Sequence, residues 1–145
     1  MKASAVQKSL AKKPALKNRV ILAADTIVLL GSGPRERILN KPRNRAHARH
    51  MLTALMGEPH RVITGIALLQ GERLRLAAAT SVCRIRKVSP AWLQRYLDSG
   101  LWQGKAGAYG IQDRDDPFVE LVSGTFSTVV GLPMELLTRE LASFR

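Results

Sequence analysis

Residues 19–30 read RVILAADTIVLL, and after Arg19 this stretch is apolar except at Asp25 and Thr26. A long run rich in Val, Ile and Leu is typical of a β-strand that is buried on both faces. We therefore predict a long buried strand over residues 19–30. An unpaired carboxylate in such a strand would be costly, so Asp25 needs a compensating group, and a bound metal ion or a lysine is the natural candidate.

Turn and capping signals around this strand predict a mixed α/β arrangement with hairpins, which excludes a purely parallel sheet. Ser89 and Pro90 are a typical helix start, and Gly100 is a typical helix end. The predicted helices cover residues 3–13, 43–56, 90–99 and 127–142, and the further strands cover residues 35–39, 60–69, 73–88 and 118–122. We also expect an irregularity near the end of strand 73–88, where the apolar alternation fails.

The composition predicts a single domain over residues 20–145, preceded by a basic arm or partial helix over residues 1–19. A chain of 145 residues with 46% hydrophobic content is long enough for one core and too short for two ordinary ones. Cys83 is the single cysteine and has no internal disulfide partner, which favours a reducing, cytoplasmic setting. No apolar run approaches the ~20 residues of a membrane-spanning helix.

The charge is strongly positive, because 23 basic and 11 acidic side chains give a net charge of +12. Such an excess is compatible with nucleic-acid binding through the phosphate backbone. An aromatic content of 5% leaves few platforms for base stacking, so nucleic acid is not the partner we expect. A phosphate-rich small ligand and a merely solvated basic arm are equally compatible with the charge.

The segment Lys105-Ala106-Gly107-Ala108-Tyr109-Gly110-Ile111-Gln112 combines small residues with a cation at one end and an amide at the other. Small residues let a ligand approach the backbone, and glycine adopts positive φ where a turn needs it. Lys105 suits a phosphate, and Gln112 offers both a donor and an acceptor to a uracil or thymine ring. Small-residue runs also occur in tight turns, so this segment alone leaves a nucleotide contact and a structural turn equally open.

Four separated segments are informative when taken together. They are AADTIV at 23–28, NKP at 40–42 with the helix after it, HRVITG at 60–65, and residues 105–112 with the FVE and FSTVVGLP sequences that follow. In this order and spacing they closely resemble the Maf family of nucleoside triphosphate pyrophosphatases. The resemblance implies an α/β fold with an elongated mixed sheet, flanked by helices, that forms a cleft. Its AYGIQ sequence resembles the branch of the family that cleaves dTTP and UTP.

The resemblance also implies roles for individual residues. Asp25 would be the catalytic proton acceptor and a ligand of a divalent cation, Mg²⁺ or Mn²⁺, while Thr26 and Gln112 would help select the base. Lys41 and Lys105 would line the phosphate end of the cleft, and the protein would form a homodimer. Taken without the resemblance, Asp25 could accept backbone hydrogen bonds at a strand end, Thr26 could be an ordinary strand residue, and Lys41 could be solvated.

One motif of the family has no counterpart in this sequence. Family members begin with a strand and a Ser-x-Ser-Pro-Arg-Arg loop whose arginines grip the triphosphate, and no such motif occurs in the 145 residues. Lysines do not reproduce the bidentate geometry of arginine. We therefore expect an N-terminally truncated dTTP/UTP pyrophosphatase with impaired activity. The alternative is a catalytically inactive remnant that binds nucleotides or nucleic acid.

Other titratable residues carry less weight in the sequence. His47 and His50 are three residues apart on a predicted helix, but two histidines without a third ligand indicate a solvated face rather than a metal site. His60 stands at a strand start and is expected to be structural. The acidic residues at 113–116 lack the glycine and the terminal glutamate of a calcium loop, so an exposed turn is expected there.

Overall fold

The computed structural model of this protein describes residues 18–112 and 117–144. The predicted helix over residues 3–13 and the acidic residues 113–116 lie outside these ranges. The described strands form one five-stranded sheet in the order β2-β1-β3-β4-β5. They are β1 (Ile21–Leu30), β2 (Arg37–Leu39), β3 (Pro59–Gln70), β4 (Arg73–Ile85) and β5 (Val119–Ser123).

In the described ranges, four α-helices lie between or after the strands of the sheet, so the predicted α/β fold class is confirmed. They are α1 (Arg45–Leu55), α2 (Pro90–Ser99), α3 (Phe126–Val130) and α4 (Met134–Ala142). In α2 the side chain of Ser89 accepts from the Trp92 amide, Pro90 occupies the first turn, and Gly100 ends the helix in the left-handed conformation. These positions agree with the sequence prediction, since all three signals are local to the helix ends.

The strand pairing is more uniform than the predicted mixed sheet. All four neighbouring pairs of described strands are antiparallel, and the parallel contact is an isolated bridge between Met56 and Ile85. Short hairpin connections, such as the turn at Gly71 between β3 and β4, can only join antiparallel strands. The expected irregularity in β4 is a register shift between Val82 and Cys83, opposite β5.

Among the described residues, the helices pack on one face of the sheet. The larger core cluster joins Val28, Val62 and Ile85 of the sheet to buried residues of α1 and α2. A smaller cluster joins Ile66 and Leu68 of the same face to Leu136 and Leu137 of α4. The prediction that β1 is buried along its whole length is wrong. Only its last three residues, Val28–Leu30, are buried, and these are the residues that pair with β2.

The predicted helix over residues 127–142 is also wrong as a single element. Helix α3 ends at Gly131, which has φ 116°. Helix α4 begins after Pro133. A left-handed residue followed two positions later by proline breaks the helical hydrogen-bond ladder. The break folds α3 and α4 against different parts of β3 and β4, and it places residues 129–131 beside β1.

Candidate active site

A single cavity of about 270 Å³ is lined by all five residues that the sequence singled out. They are Asp25, Thr26, Lys41, Lys105 and Gln112. Val28 and Val62 contribute sheet side chains to the wall, and Val129 and Val130 contribute from α3. The structure therefore brings together residues that are up to 87 positions apart in the chain (112 − 25).

Asp25 and Thr26 reach the same cavity although they are neighbours on a strand, where successive side chains point to opposite faces. β2 pairs with β1 only at Val28–Leu30. Within the described residues, no strand pairs with the edge of β1 beside Asp25. Asp25 is consequently exposed, and the expectation that it is embedded in a buried strand is wrong.

The segment after Lys105 forms a tight turn in the cavity wall, with a short 3-10 helix over Ala106–Ala108. Gly107 (φ 70°) and Ala108 (φ 67°) both adopt the left-handed conformation. A Cβ atom on Gly107 would lie 3.2 Å from Val28 Cγ2 and from Tyr109 Cε1. Glycine is therefore favoured at this position, both by its backbone conformation and by its close packing against β1.

Two hydrogen bonds hold this turn in place. The Gly107 amide donates to the Asn40 carbonyl (3.3 Å), and the Tyr96 hydroxyl donates to the Ala108 carbonyl (3.2 Å). Because Asn40 directly precedes Lys41, the first bond fixes the two lysine-bearing segments beside each other. The lining of the cavity therefore includes two basic residues, Lys41 and Lys105, together with the acidic residue Asp25.

A metal site made by protein ligands alone does not occur among residues 18–112 and 117–144, where no three His, Cys, Asp or Glu side chains cluster. Mg²⁺ is commonly held by one or two carboxylates together with substrate phosphates and water. Asp25, an exposed carboxylate on the cavity wall, meets that smaller requirement. The residues present therefore fit a cation that arrives with a phosphorylated ligand.

Behind the cavity wall, Tyr109 is held by a buried histidine. The Nε2 of His60 lies 2.7 Å from the Tyr109 hydroxyl, and its Nδ1 lies 3.2 Å from the Glu58 carbonyl. Since a carbonyl only accepts, Nδ1 carries the proton, and Nε2 accepts from Tyr109. Burial lowers the pKa of His60 and raises the pKa of Tyr109, so both groups stay neutral near pH 7.

Burial likewise raises the pKa of the Cys83 thiol. Cys83 is free and buried on β4, as predicted. His60 was expected to be structural, and its burial at the start of β3 agrees with that expectation. Its bond to Tyr109 was not foreseen, because nothing in the sequence pairs two residues 49 positions apart.

Acidification should destabilise the protein through His60. The folded pKa lies below the unfolded value of 6.5, so the unfolded chain binds more protons as the pH falls. Stability is fully present above pH 6.5 and decreases as the pH drops from there to the folded pKa. We expect the melting temperature to fall between pH 7.5 and 5.5, and His60→Gln to show less of that dependence than the wild type.

The matched control is His50→Gln, which changes an exposed histidine of α1. This variant should keep the pH dependence of the wild type. If His60→Gln instead retained the full slope, other groups would be responsible for the acid sensitivity.

A chain of hydroxyl groups underlies the other wall of the cavity. Thr26 Oγ1 lies 2.8 Å from Thr64 Oγ1, and the Thr64 hydroxyl donates to the Thr128 carbonyl (2.7 Å). Further along, Ser81 Oγ donates to the Thr125 carbonyl (3.0 Å) and accepts from the Thr125 amide (2.9 Å). These bonds attach α3 to the central strands, and the sequence offered no signal for them.

The described fold and cavity define an α/β protein with a charged cleft at an open edge of an antiparallel sheet. The chain belongs to the family described as Maf-like protein, which matches residues 1–144. None of the helices in the described ranges is long and apolar enough to cross a membrane.

Curated relatives share about two fifths of the aligned residues. The dTTP/UTP pyrophosphatase of Cereibacter sphaeroides is 43% identical over 115 residues, which are 79% of this chain and 58% of that protein. The dTTP/UTP pyrophosphatase of Roseobacter denitrificans is 42% identical over 120 residues, which are 83% of this chain and 62% of that protein. The dTTP/UTP pyrophosphatase of Pyrococcus horikoshii is 38% identical over 131 residues, which are 90% of this chain and 68% of that protein. The chain thus spans about three fifths of the length of the first two relatives.

Proposed function

We propose that this protein is a nucleoside triphosphate pyrophosphatase that converts dTTP or UTP to the monophosphate and pyrophosphate. The observation that carries the proposal is the meeting of Asp25, Lys41, Lys105 and Gln112 around one cavity. The names of the relatives, dTTP/UTP pyrophosphatase, support the same reaction and the same bases.

The proposed reaction is attack of water on the α-phosphorus. The water oxygen forms a new bond to phosphorus, the bond from that phosphorus to the oxygen bridging to the β-phosphate breaks, and pyrophosphate leaves. Asp25 takes a proton from the attacking water, which is the role of a general base. Its exposed position on the cavity wall gives the carboxylate access to a water molecule.

Lys41 and Lys105 bind the phosphates in this proposal. Charge builds on the phosphoryl oxygens and on the leaving pyrophosphate as the bond breaks, and nearby cations stabilise it. The bond between Gly107 and Asn40 holds both lysine segments together before any ligand binds. A divalent cation on Asp25 and the phosphates would neutralise part of the remaining negative charge.

Base selection is assigned to Thr26 and Gln112. A side-chain amide can donate to a carbonyl oxygen of uracil or thymine and can accept from a base N–H, and the exposed Gln112 lines the cavity. The buried free thiol of Cys83 fits a reducing cytoplasm. The homodimer implied by the family resemblance stays a prediction.

The test is incubation of the purified chain with dTTP, UTP, dCTP and dGTP in the presence of Mg²⁺. We expect release of pyrophosphate, rather than orthophosphate, from dTTP and UTP. Nucleotide binding without pyrophosphate release would support the inactive-remnant alternative. Binding to DNA or RNA with a steep salt dependence and no binding of triphosphates would contradict the proposal.

A further inference from the structure

Thr64 connects the cavity to α3 and is itself inaccessible. It lies in the middle of β3, directly opposite Thr26 in the β1–β3 register, and it is 0% exposed. Its hydroxyl contacts two oxygen atoms: Thr26 Oγ1 at 2.8 Å and the Thr128 carbonyl oxygen at 2.7 Å.

The direction of these two hydrogen bonds follows from counting protons. A threonine hydroxyl has one proton to donate and two lone pairs with which to accept. The Thr128 carbonyl only accepts, so the single proton of Thr64 points at it. Thr64 is therefore an acceptor toward Thr26, and the proton in that contact comes from the Thr26 hydroxyl.

Thr26 in consequence has no proton to offer a ligand in the cavity. Its hydroxyl hydrogen is directed at Thr64. The lone pairs of the Thr26 hydroxyl oxygen can therefore accept a hydrogen bond from a ligand. The backbone of Gly131 limits the space on a further side, since a Cβ atom there would be 3.2 Å from Thr26 Oγ1. The Gly131 amide is directed at the Ser127 carbonyl (3.2 Å), so it does not compete for those lone pairs.

We propose that Thr64 is a positioning residue that makes Thr26 an acceptor toward the bound base and so favours uracil and thymine over cytosine. Uracil and thymine carry a donor at N3, whereas N3 of cytosine is an acceptor and would meet a second acceptor in Thr26. This inference rests on the proposed function and concerns the polarity of one group within that site.

Thr64→Val tests the proposal, because valine has nearly the shape of threonine and no hydroxyl. In this variant the Thr26 hydroxyl loses its acceptor and is free to donate into the cavity. We expect the ratio of kcat/KM for dTTP to that for dCTP to fall by about five- to tenfold, the effect of one hydrogen bond. Thr64→Ser keeps the hydroxyl and should keep the ratio of the wild type.

Thr128→Val is the matched control for loss of a buried hydroxyl. The Thr128 side chain bonds to Thr125 Oγ1 (2.8 Å), while its carbonyl, which fixes the proton of Thr64, is unchanged by the substitution. This variant should keep the wild-type ratio even if it is less stable. A general loosening of the fold would alter the ratio in both valine variants and would overturn the proposal.

Binding of α,β-imido analogues of dTTP and dCTP, measured by calorimetry, gives a second readout that does not require turnover. The affinity ratio should shift in Thr64→Val by the same factor as the kcat/KM ratio. A wild type that prefers thymidine nucleotides, with a Thr64→Val variant of unchanged preference, overturns this inference alone. A wild type that neither binds nor cleaves dTTP overturns the proposed function, and this inference falls with it.

Discussion

Asp25→Asn should lower the rate of pyrophosphate release from dTTP by at least about 100-fold, the typical contribution of a general base. The substitution keeps the size of the side chain and removes the negative charge that would take a proton and attract a cation. Asp25 is exposed, so the melting temperature should hardly change. The measurement is kcat at saturating dTTP and Mg²⁺, alongside thermal unfolding.

Asp98→Asn is the control for this variant. Asp98 is an exposed carboxylate of α2 that accepts from Arg45 (2.5 Å) and is not among the residues lining the cavity. Its loss should leave kcat within about twofold of the wild type, because exposed ion pairs contribute little. An Asp25→Asn enzyme of nearly wild-type rate would remove Asp25 from the catalytic role.

Gly124→Ala should lower the free energy of unfolding by about 2–5 kcal/mol, the largest loss of stability expected among the proposed variants. Gly124 has φ +89°, and a Cβ atom there would lie 2.3 Å from Ser81 Oγ and 2.7 Å from Ser81 Cα. The backbone atom cannot move without displacing β4. The clash also disrupts the reciprocal bonds between Ser81 and Thr125 that anchor the start of α3.

Gly33→Ala separates the effect of the clash from that of the backbone conformation. Gly33 also has positive φ (+55°), but no atom lies within 4 Å of the Cβ position. We expect a loss of about 1–2 kcal/mol from the left-handed conformation alone. Equal losses in the two variants, measured by denaturant unfolding, would show that the contact with Ser81 adds nothing.

The fold was predictable where the signals are local. The two ends of α2 are marked by its own capping residues, Ser89 and Pro90 at the start and Gly100 at the end. The polar turn at Gly71 marks the β3–β4 hairpin. Burial of β1 was mispredicted because an apolar run indicates that a strand avoids water, but not how much of it is covered. The break between α3 and α4 was missed, although both Gly131 and Pro133 are in the sequence.

The set of residues around the cavity came from the family resemblance, and the structure brings all five to one place. Their supporting contacts could not be read from the sequence. The Thr26–Thr64 and Thr64–Thr128 bonds join residues 38 and 64 positions apart. In the sequence, these three threonines cannot be told from ordinary strand and helix residues. Such contacts depend on the register of β1 against β3 and on the placement of α3.

Ala108 has a consequence for chemical synthesis of this protein. Its φ is 67° and it is fully buried, so its backbone lies in the left-handed region, which an L-residue rarely adopts and a D-residue prefers. Peptide ligation that installs D-alanine at position 108 should relieve this backbone strain. At the other alanines that the structure describes, none of which has positive φ, the same inversion of handedness would be harmful.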